Sequence, residues 1–206
     1  MTGPVTLGPG YFDRMYAATA DPWGLASRWY EARKYALSLA LLPDRHYRDA
    51  FEPGCSVGVL TRMLAARCGR LLAWDGSAEA VRSARKETDG LAHVQVECRA
   101  IPADWPAGQF DLIVFSEVLY YFGGADLDRV LDRAEAALRP GGRLLAVHWR
   151  HLVPEYPRDG DDVHRVLAGR PGLSRLVAHH EPDFTAEVYT HSGGDLRSVA
   201  QAGGIV

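Results

Sequence analysis

One stretch constrains this chain more than any other: Asp49 to Asp75, DAFEPGCSVGVLTRMLAARCGRLLAWD. It opens with a strand-like piece, Ala50-Phe51-Glu52, and breaks at Pro53-Gly54. Cys55, Ser56, Val57 and Gly58 form a small-residue turn, after which Val59, Leu60, Met63 and Leu64 recur at helical spacing. The apolar run Leu71 to Trp74 then ends on Asp75. Strand, tight turn, helix, strand and acid is the order that builds a nucleotide site at the carboxyl ends of a parallel sheet. The small residues let backbone approach a ligand, and an acid about 20 residues past the turn can accept both ribose hydroxyls.

The spacing of the turn selects the ligand. A dinucleotide fingerprint reads G-x-G-x-x-G and sets a pyrophosphate on the helix N-terminus. Here Glu52, Gly54, Ser56 and Gly58 alternate, with an acid leading and Ser in the middle. That acid repels a pyrophosphate and suits a cationic ligand. The turn resembles the first motif of class I methyltransferases, whose donor, S-adenosylmethionine, carries a ribose, a sulfonium and an ammonium but no phosphate.

At 206 residues the chain suits one domain with a full-sized core. Hydrophobic residues at 47% and charged residues at 24% fit an ordinary globular protein. A net charge of −3 argues against a nucleic-acid surface. No apolar run reaches membrane-spanning length, and MTGPVTLGPG lacks the regions of a signal peptide, so a cytoplasmic protein without a membrane partner is expected. Cys55, Cys68 and Cys98 have no metal-ligand spacing; they read as small buried fillers, and no metal is expected.

Residues 1–10 read as a loose tail, and residues 1–42 together as an N-terminal helical segment. Tyr11, Phe12, Met15 and Tyr16 form one helical stripe; Asp21-Pro22-Trp23-Gly24 breaks it, and Ser27 can cap a second helix. That helix carries Tyr30, Lys34, Leu37 and Leu41 on one side and Trp29, Arg33 and Ala36 on another. Two readings stand: helices laid against the sheet edge, or an aromatic lid in which Trp23 meets a sulfonium through cation–π contact and Tyr30 meets an acceptor. Residues 43–191 form the α/β core. Within it, 77–87, 126–138 and 161–167 read as helices, and 93–98, 109–115, 143–149, 173–180 and 184–190 as strands. Pro140-Gly141-Gly142 reads as a turn, and residues 192–206 as a fraying tail.

Useful side chains in such a sheet lie at carboxyl ends of strands. Gly76 and Ser77 follow Asp75 and are small enough for an adenine, with Ala100 and Ile101 after the next strand. Ser116 and Glu117 end a buried strand ahead of Tyr120 and Tyr121. Ser116 can simply cap a short helix; Glu117 can hold an ammonium and take its proton, and the tyrosines can stack on a sugar. His148, Trp149 and Arg150 end another strand, and His148 is a general-base candidate by its ordinary pKa. Tyr156, Asp161 and His164 belong to a polar flap suited to a polyhydroxy acceptor.

The whole chain resembles the nodulation-protein-S-like family of class I methyltransferases. The resemblance rests on DPWGLASRWYEARKY (21–35), FEPGCSVGVLTRMLA (51–65), WPAGQFDLIVFSEVLYYF (105–122) and GRLLAVHWRHLVPEYPRDGDDVH (142–164). It implies a Rossmann-like fold with a seven-stranded, mostly parallel sheet, an antiparallel last strand and helices on both faces. It also implies S-adenosylmethionine as donor and N-methylation of a free amine on a deacetylated amino sugar, with a sugar N-deacetylase as functional partner. Two departures stand out. The family's acid after the third strand is missing near Ala100, and Trp74 is bulkier than the usual residue before the ribose acid. An O-methyltransferase, a non-catalytic cofactor-binding subunit and a nicotinamide dehydrogenase are the alternative readings, in descending order.

Overall fold

The computed structural model describes residues 5–191 and 198–206. In chain order the elements are α1 (Pro9–Ala18), α2 (Trp29–Leu41), β1 (Tyr47–Pro53), α3 (Val59–Ala65), β2 (Cys68–Asp75), α4 (Ala78–Glu87) and β3 (Val94–Cys98). There follow β4 (Phe110–Ser116), a 3-10 turn (Leu119–Tyr121), α5 (Gly124–Ala137), β5 (Leu138–Trp149), α6 (Gly160–Ala168), β6 (Leu173–His180), β7 (Phe184–His191) and α7 (Val199–Ala202).

The strands form one seven-stranded sheet in the order β3-β2-β1-β4-β5-β7-β6. β7 is antiparallel to both β5 and β6, and the other pairings are parallel. Alternation along the central strands assigns their side chains to opposite faces. Phe51, Ile113, Phe115, Leu144 and Ala146 meet α5 and α6 through Leu127, Val130, Leu131, Val163 and Leu167. Their neighbours Ala50, Leu112, Val114, Leu145 and Val147 meet Tyr35 of α2 and Leu60 and Leu64 of α3. Strands covered on both faces must be apolar at every position, which is why β4 reads as a continuous hydrophobic run. The chain progresses outward from β1 to β3, then returns to β4 on the other side of β1. That reversal leaves a crevice above the carboxyl ends of β1 and β4.

Several local expectations change. Residues 5–8 are not loose: the Leu7 amide donates to the Tyr121 carbonyl at 2.9 Å, and the Thr6 hydroxyl donates to Asp126 at 2.6 Å. Arg28, not Ser27, occupies the N-cap of α2. Pro140 to Gly142 lie inside β5, where the pairing with β4 shifts register between Phe110 and Leu112. Cys98 is exposed, so only Cys55 and Cys68 are buried fillers. Residues 192–197 of the expected tail lie outside the described residues, and α7 beyond them is closed by a Ser198–Gln201 capping box.

Gly58 shows why the turn after β1 needs a glycine. Its φ is +87°, and a Cβ there would sit 2.7 Å from Ala84 Cα, so the missing side chain lets α3 begin directly against α4. Gly58→Ala is therefore expected to lose about 2 kcal/mol of stability through strain and overpacking. A urea midpoint equal to wild type would refute this account of the glycine.

Candidate active site

The crevice is a cavity of about 530 Å³ roofed by α1 and α2. Its floor crosses the sheet from Asp75 (β2) through Glu52 (β1) to Glu117 (after β4) and Trp149 (β5). With strands spaced about 4.8 Å apart, Asp75 and Glu117 stand roughly 10 Å apart across it.

At the β2 end, Asp75 accepts the Ser56 and Ser77 amides, each at 2.9 Å. Burial raises its carboxyl to about 6, against the pull of those two amides. Gly54 has φ +79°, and a Cβ there would sit 3.0 Å from Val118. The backbone of the turn thus packs closer to Val118 than a side chain would permit. Ser56 adopts φ 50°, a left-handed conformation in a non-glycine residue, and its hydroxyl meets the Tyr16 hydroxyl of α1 at 2.5 Å. Glu52 is 2% exposed, and its Oε2 has no hydrogen-bond partner. Burial pushes its carboxyl up to about 8; the Thr61 hydroxyl opposes that and the Asp75 charge adds to it. Gly76, Ala100 and Ile101 wall this end.

A ribose fits the free acceptor capacity of Asp75, and an ammonium or sulfonium fits the orphaned oxygen of Glu52. The residues present therefore suit S-adenosylmethionine. The two departures are also accommodated. Trp74 faces away from the cavity, edge-on to Phe51 at 5.2 Å and beneath the Arg99 guanidinium. Ala100 and Ile101 offer backbone where the family carries an acid.

At the β4–β5 end, Glu117 has φ 55°, the other left-handed non-glycine among the described residues. Its Oε1 receives Lys34 Nζ at 2.6 Å; its Oε2 receives the Tyr120 hydroxyl at 2.6 Å and the Trp149 amide at 2.9 Å. Lys34 also donates to Glu31 at 3.1 Å. Tyr30 stands edge-on to Trp149 at 5.6 Å, and Tyr120 stacks on Tyr156 at 5.1 Å. Ser116, Tyr121 and Trp23 also line the cavity.

The structure does not bring every candidate there. Gly58 and Ser77 lie behind the turn, Ser77 contributing only its amide to Asp75. Arg150 and Asp161 pair with each other at 2.8 and 3.0 Å away from the cavity. His148 is wholly enclosed behind Tyr120. The Leu119 amide donates to its Nε2 at 3.3 Å, so its proton sits on Nδ1 and points to His164 Nε2 at 3.2 Å. His164 in turn donates from Nδ1 to Glu187 at 2.7 Å. Burial holds His148 well below the usual imidazole range, and its neighbours His164 and Lys34 add to the effect. Both histidines thus brace the turn that carries Tyr120 and Tyr121. Glu31, Lys34 and Tyr16 are cavity residues that were not among the sequence candidates. The signal for the first two was an acid and a base three residues apart on an otherwise apolar helix face.

With this geometry in view, comparison with known proteins is decisive. The family model for nodulation protein S (NodS) matches residues 12–153. The chain belongs to the NodS family. Nodulation protein S of Rhizobium tropici is 34% identical over 130 residues, 62% of this chain and 55% of that protein. A candidate methyltransferase from Pseudomonas syringae is 48% identical, covering 80% of this chain and all of that one, with a TM-score of 0.71. The N-methyltransferase NodS from Bradyrhizobium japonicum WM9, in complex with S-adenosyl-L-homocysteine, superposes with a TM-score of 0.80 at 24% identity, over 90% of this chain and all of that one. The chain thus shares the Rossmann-like class I fold of these methyltransferase structures. The chain spans about half the length of the curated relatives it matches. Among the described residues no helix is long and apolar enough to cross a membrane.

Glu187 anchors the histidine chain. Burial works against its charge, but hydrogen bonds from His164, Tyr189 and Arg175 hold its carboxyl at about 2. A carboxyl lowered on folding contributes stability above its unfolded range, and that contribution is lost as pH falls toward about 2. Glu187→Gln is expected to cost about 3 kcal/mol at neutral pH and to flatten the acid limb of the stability curve between about pH 5 and 2. An unchanged acid limb would remove Glu187 from this role.

Proposed function

We propose that this chain is an S-adenosylmethionine-dependent N-methyltransferase acting on a free amino group of an amino sugar or related small molecule. The observation that carries this reading is the acceptor end of the cavity. Two carboxylates, Glu31 and Glu117, face one another there across a lysine already committed to both. Such a recess repels a carboxylate acceptor and attracts an ammonium. Tyr30, Tyr120, Trp149 and Tyr156 surround it with aromatic faces suited to the C–H face of a sugar ring. A hydroxyl acceptor would need a stronger base than a carboxylate, and the imidazole of His148 is spent inside the core.

In this reading Asp75 holds the ribose, and the Gly54 to Ser56 backbone, Gly76, Ala100 and Ile101 cradle the nucleoside. Glu52 faces the cationic end. S-adenosylmethionine supplies the electrophilic methyl on a sulfonium; the chain supplies position and dryness. Residues 1–42 act as a lid over a 43–191 core, with Tyr16 and Trp23 over the donor and Tyr30 over the acceptor. An N-deacetylase acting on an acetylated sugar is the class of enzyme that would furnish such an amine.

Two measurements test this. S-adenosylhomocysteine titrated calorimetrically should bind wild type and fail with Asp75→Ala. Methyl transfer should then appear on D-glucosamine and not on N-acetyl-D-glucosamine; equal transfer to both would exclude the amine as acceptor. A third outcome follows from Glu52. Near neutral pH its carboxyl, raised to about 8, carries a proton. A cationic ligand lowers that value, so binding should release protons. Binding enthalpies should then differ between buffers of different ionisation heat, and Glu52→Gln should erase the difference. Buffer-independent enthalpies in wild type would argue against Glu52 facing the ligand's charge.

A further inference from the structure

The two carboxylates at the acceptor end are not equivalent. Glu117 is saturated: its oxygens accept three hydrogen bonds, and its own amide donates to the Val147 carbonyl at 2.8 Å. Glu31 is not. Lys34 Nζ donates to its Oε1 at 3.1 Å and lies 3.0 Å from its Oε2 as an ion pair, yet Oε2 accepts no aligned hydrogen bond and is buried, in a residue 7% exposed. The neighbouring Tyr30 hydroxyl is likewise buried and unpartnered. An acceptor with no aligned donor and a hydroxyl with no acceptor, on adjacent residues of one cavity wall, are each costly to bury unless a ligand satisfies them.

We propose that Glu31 is the catalytic carboxylate, its Oε2 binding the acceptor's ammonium and taking its proton, while the Tyr30 hydroxyl donates to an oxygen beside that amine. This rests on the N-methyltransferase reading and deepens it. An N–H bond of the ammonium breaks and the proton joins Glu31 Oε2. The pair left on nitrogen bonds the donor methyl as the carbon–sulfur bond breaks onto sulfur. Glu31 returns its proton to water when the products leave, so each turnover releases one proton. Lys34 is not the base: burial works against its charge, but Glu117 and Glu31 hold the ammonium above its usual range. The titratable groups facing Glu31 are Lys34, Tyr35 and Tyr30 of its own helix and Glu117 from the end of β4. Burial raises the Glu31 carboxyl, Lys34 and Tyr35 oppose the rise, and Glu117 adds to it.

The test uses D-glucosamine as probe and three variants. Glu31→Gln should keep wild-type affinity for S-adenosylhomocysteine, which shows the fold intact. In the S-adenosylhomocysteine complex it should bind glucosamine at least about tenfold more weakly and N-acetylglucosamine unchanged. Its kcat should fall about a hundredfold at neutral pH and recover as pH rises, because solution then supplies neutral amine. Glu31→Asp, which keeps the charge opposite Lys34, should retain the wild-type acid limb at reduced kcat. Tyr30→Phe should raise KM with little change in kcat. If wild type methylates glucosamine and Glu31→Gln keeps its rate, pH profile and affinity, Glu31 is not the base and the N-methyltransferase reading stands. If wild type binds S-adenosylhomocysteine but methylates no amine, that reading falls and this proposal with it.

Discussion

The site depends on the ammonium of Lys34, held between Glu31 and Glu117 and 2% exposed. Removing a lysine from water costs several kcal/mol, and only close, well-aligned partners return it. Here the partners come from different parts of the chain: Glu31 from α2, Glu117 from the end of β4. The contact therefore joins the helical N-terminal segment to the sheet, and does so inside the cavity. Without the ammonium, two carboxylates would face each other in a dry recess, and one would have to take up a proton. The same contact sets the backbone. Glu117 holds a left-handed φ of 55°, a conformation costing about 1–3 kcal/mol. Its three side-chain hydrogen bonds and its amide bond to Val147 over-determine that geometry.

The donor end repeats this logic with other chemistry. Ser56, the second non-glycine at positive φ, stands where related turns carry glycine. Its amide is spent on Asp75 and its hydroxyl on Tyr16 of α1. Each roof helix thus touches one strained loop below it, α1 at Ser56 and α2 at Glu117. A roof tied down at both ends by polar bonds, and not by apolar packing alone, can register ligands through those bonds, since a ligand competes for the same groups.

How much of this was legible in the sequence follows from the range of each interaction. Strand–turn–helix–strand–acid is local, so Asp75, Gly54 and Ser56 could be read directly, and two-face burial made β4 and the core of β5 visible as apolar runs. Failures came where partners are distant in sequence. His148 has the composition of a base at a strand end, but its surroundings are Leu119, His164 and Glu187, contributed by a turn, a helix and the antiparallel strand. Arg150 and Asp161 looked like acceptor contacts, yet they satisfy each other. Conversely, Lys34 stood out in the sequence only as one member of a helix side with Tyr30, Leu37 and Leu41, and nothing local singled out Glu31 three residues before it. Only the fold reveals that their helix face points into the crevice, where the same pair is buried.

The electrostatics of the cavity also bear on how one fold could hold both ligands of the proposed reaction. Asp75, Glu52 and Glu117 lie on its floor, across roughly 10 Å, and Glu31 on its roof, against the buried Lys34 and the guanidinium groups of Arg28 and Arg99. A chain would not assemble four carboxyl groups in a dry crevice for stability alone, since each loses hydration. Two of them answer the loss in different ways: Glu117 is paid by hydrogen bonds, while Glu52 is held protonated near neutral pH by burial. Acid at both ends suits positive charge, and under the proposed function a sulfonium donor beside an ammonium acceptor would supply it there. In the proposed reaction, as the methyl moves, sulfur becomes neutral while the deprotonated amine nitrogen gains the methyl and with it a positive charge. The positive charge therefore moves from the Glu52 side toward the acceptor end, where Glu117 stands. Carboxylates set along that path favour the charge where it arrives, which is the differential interaction that lowers a barrier.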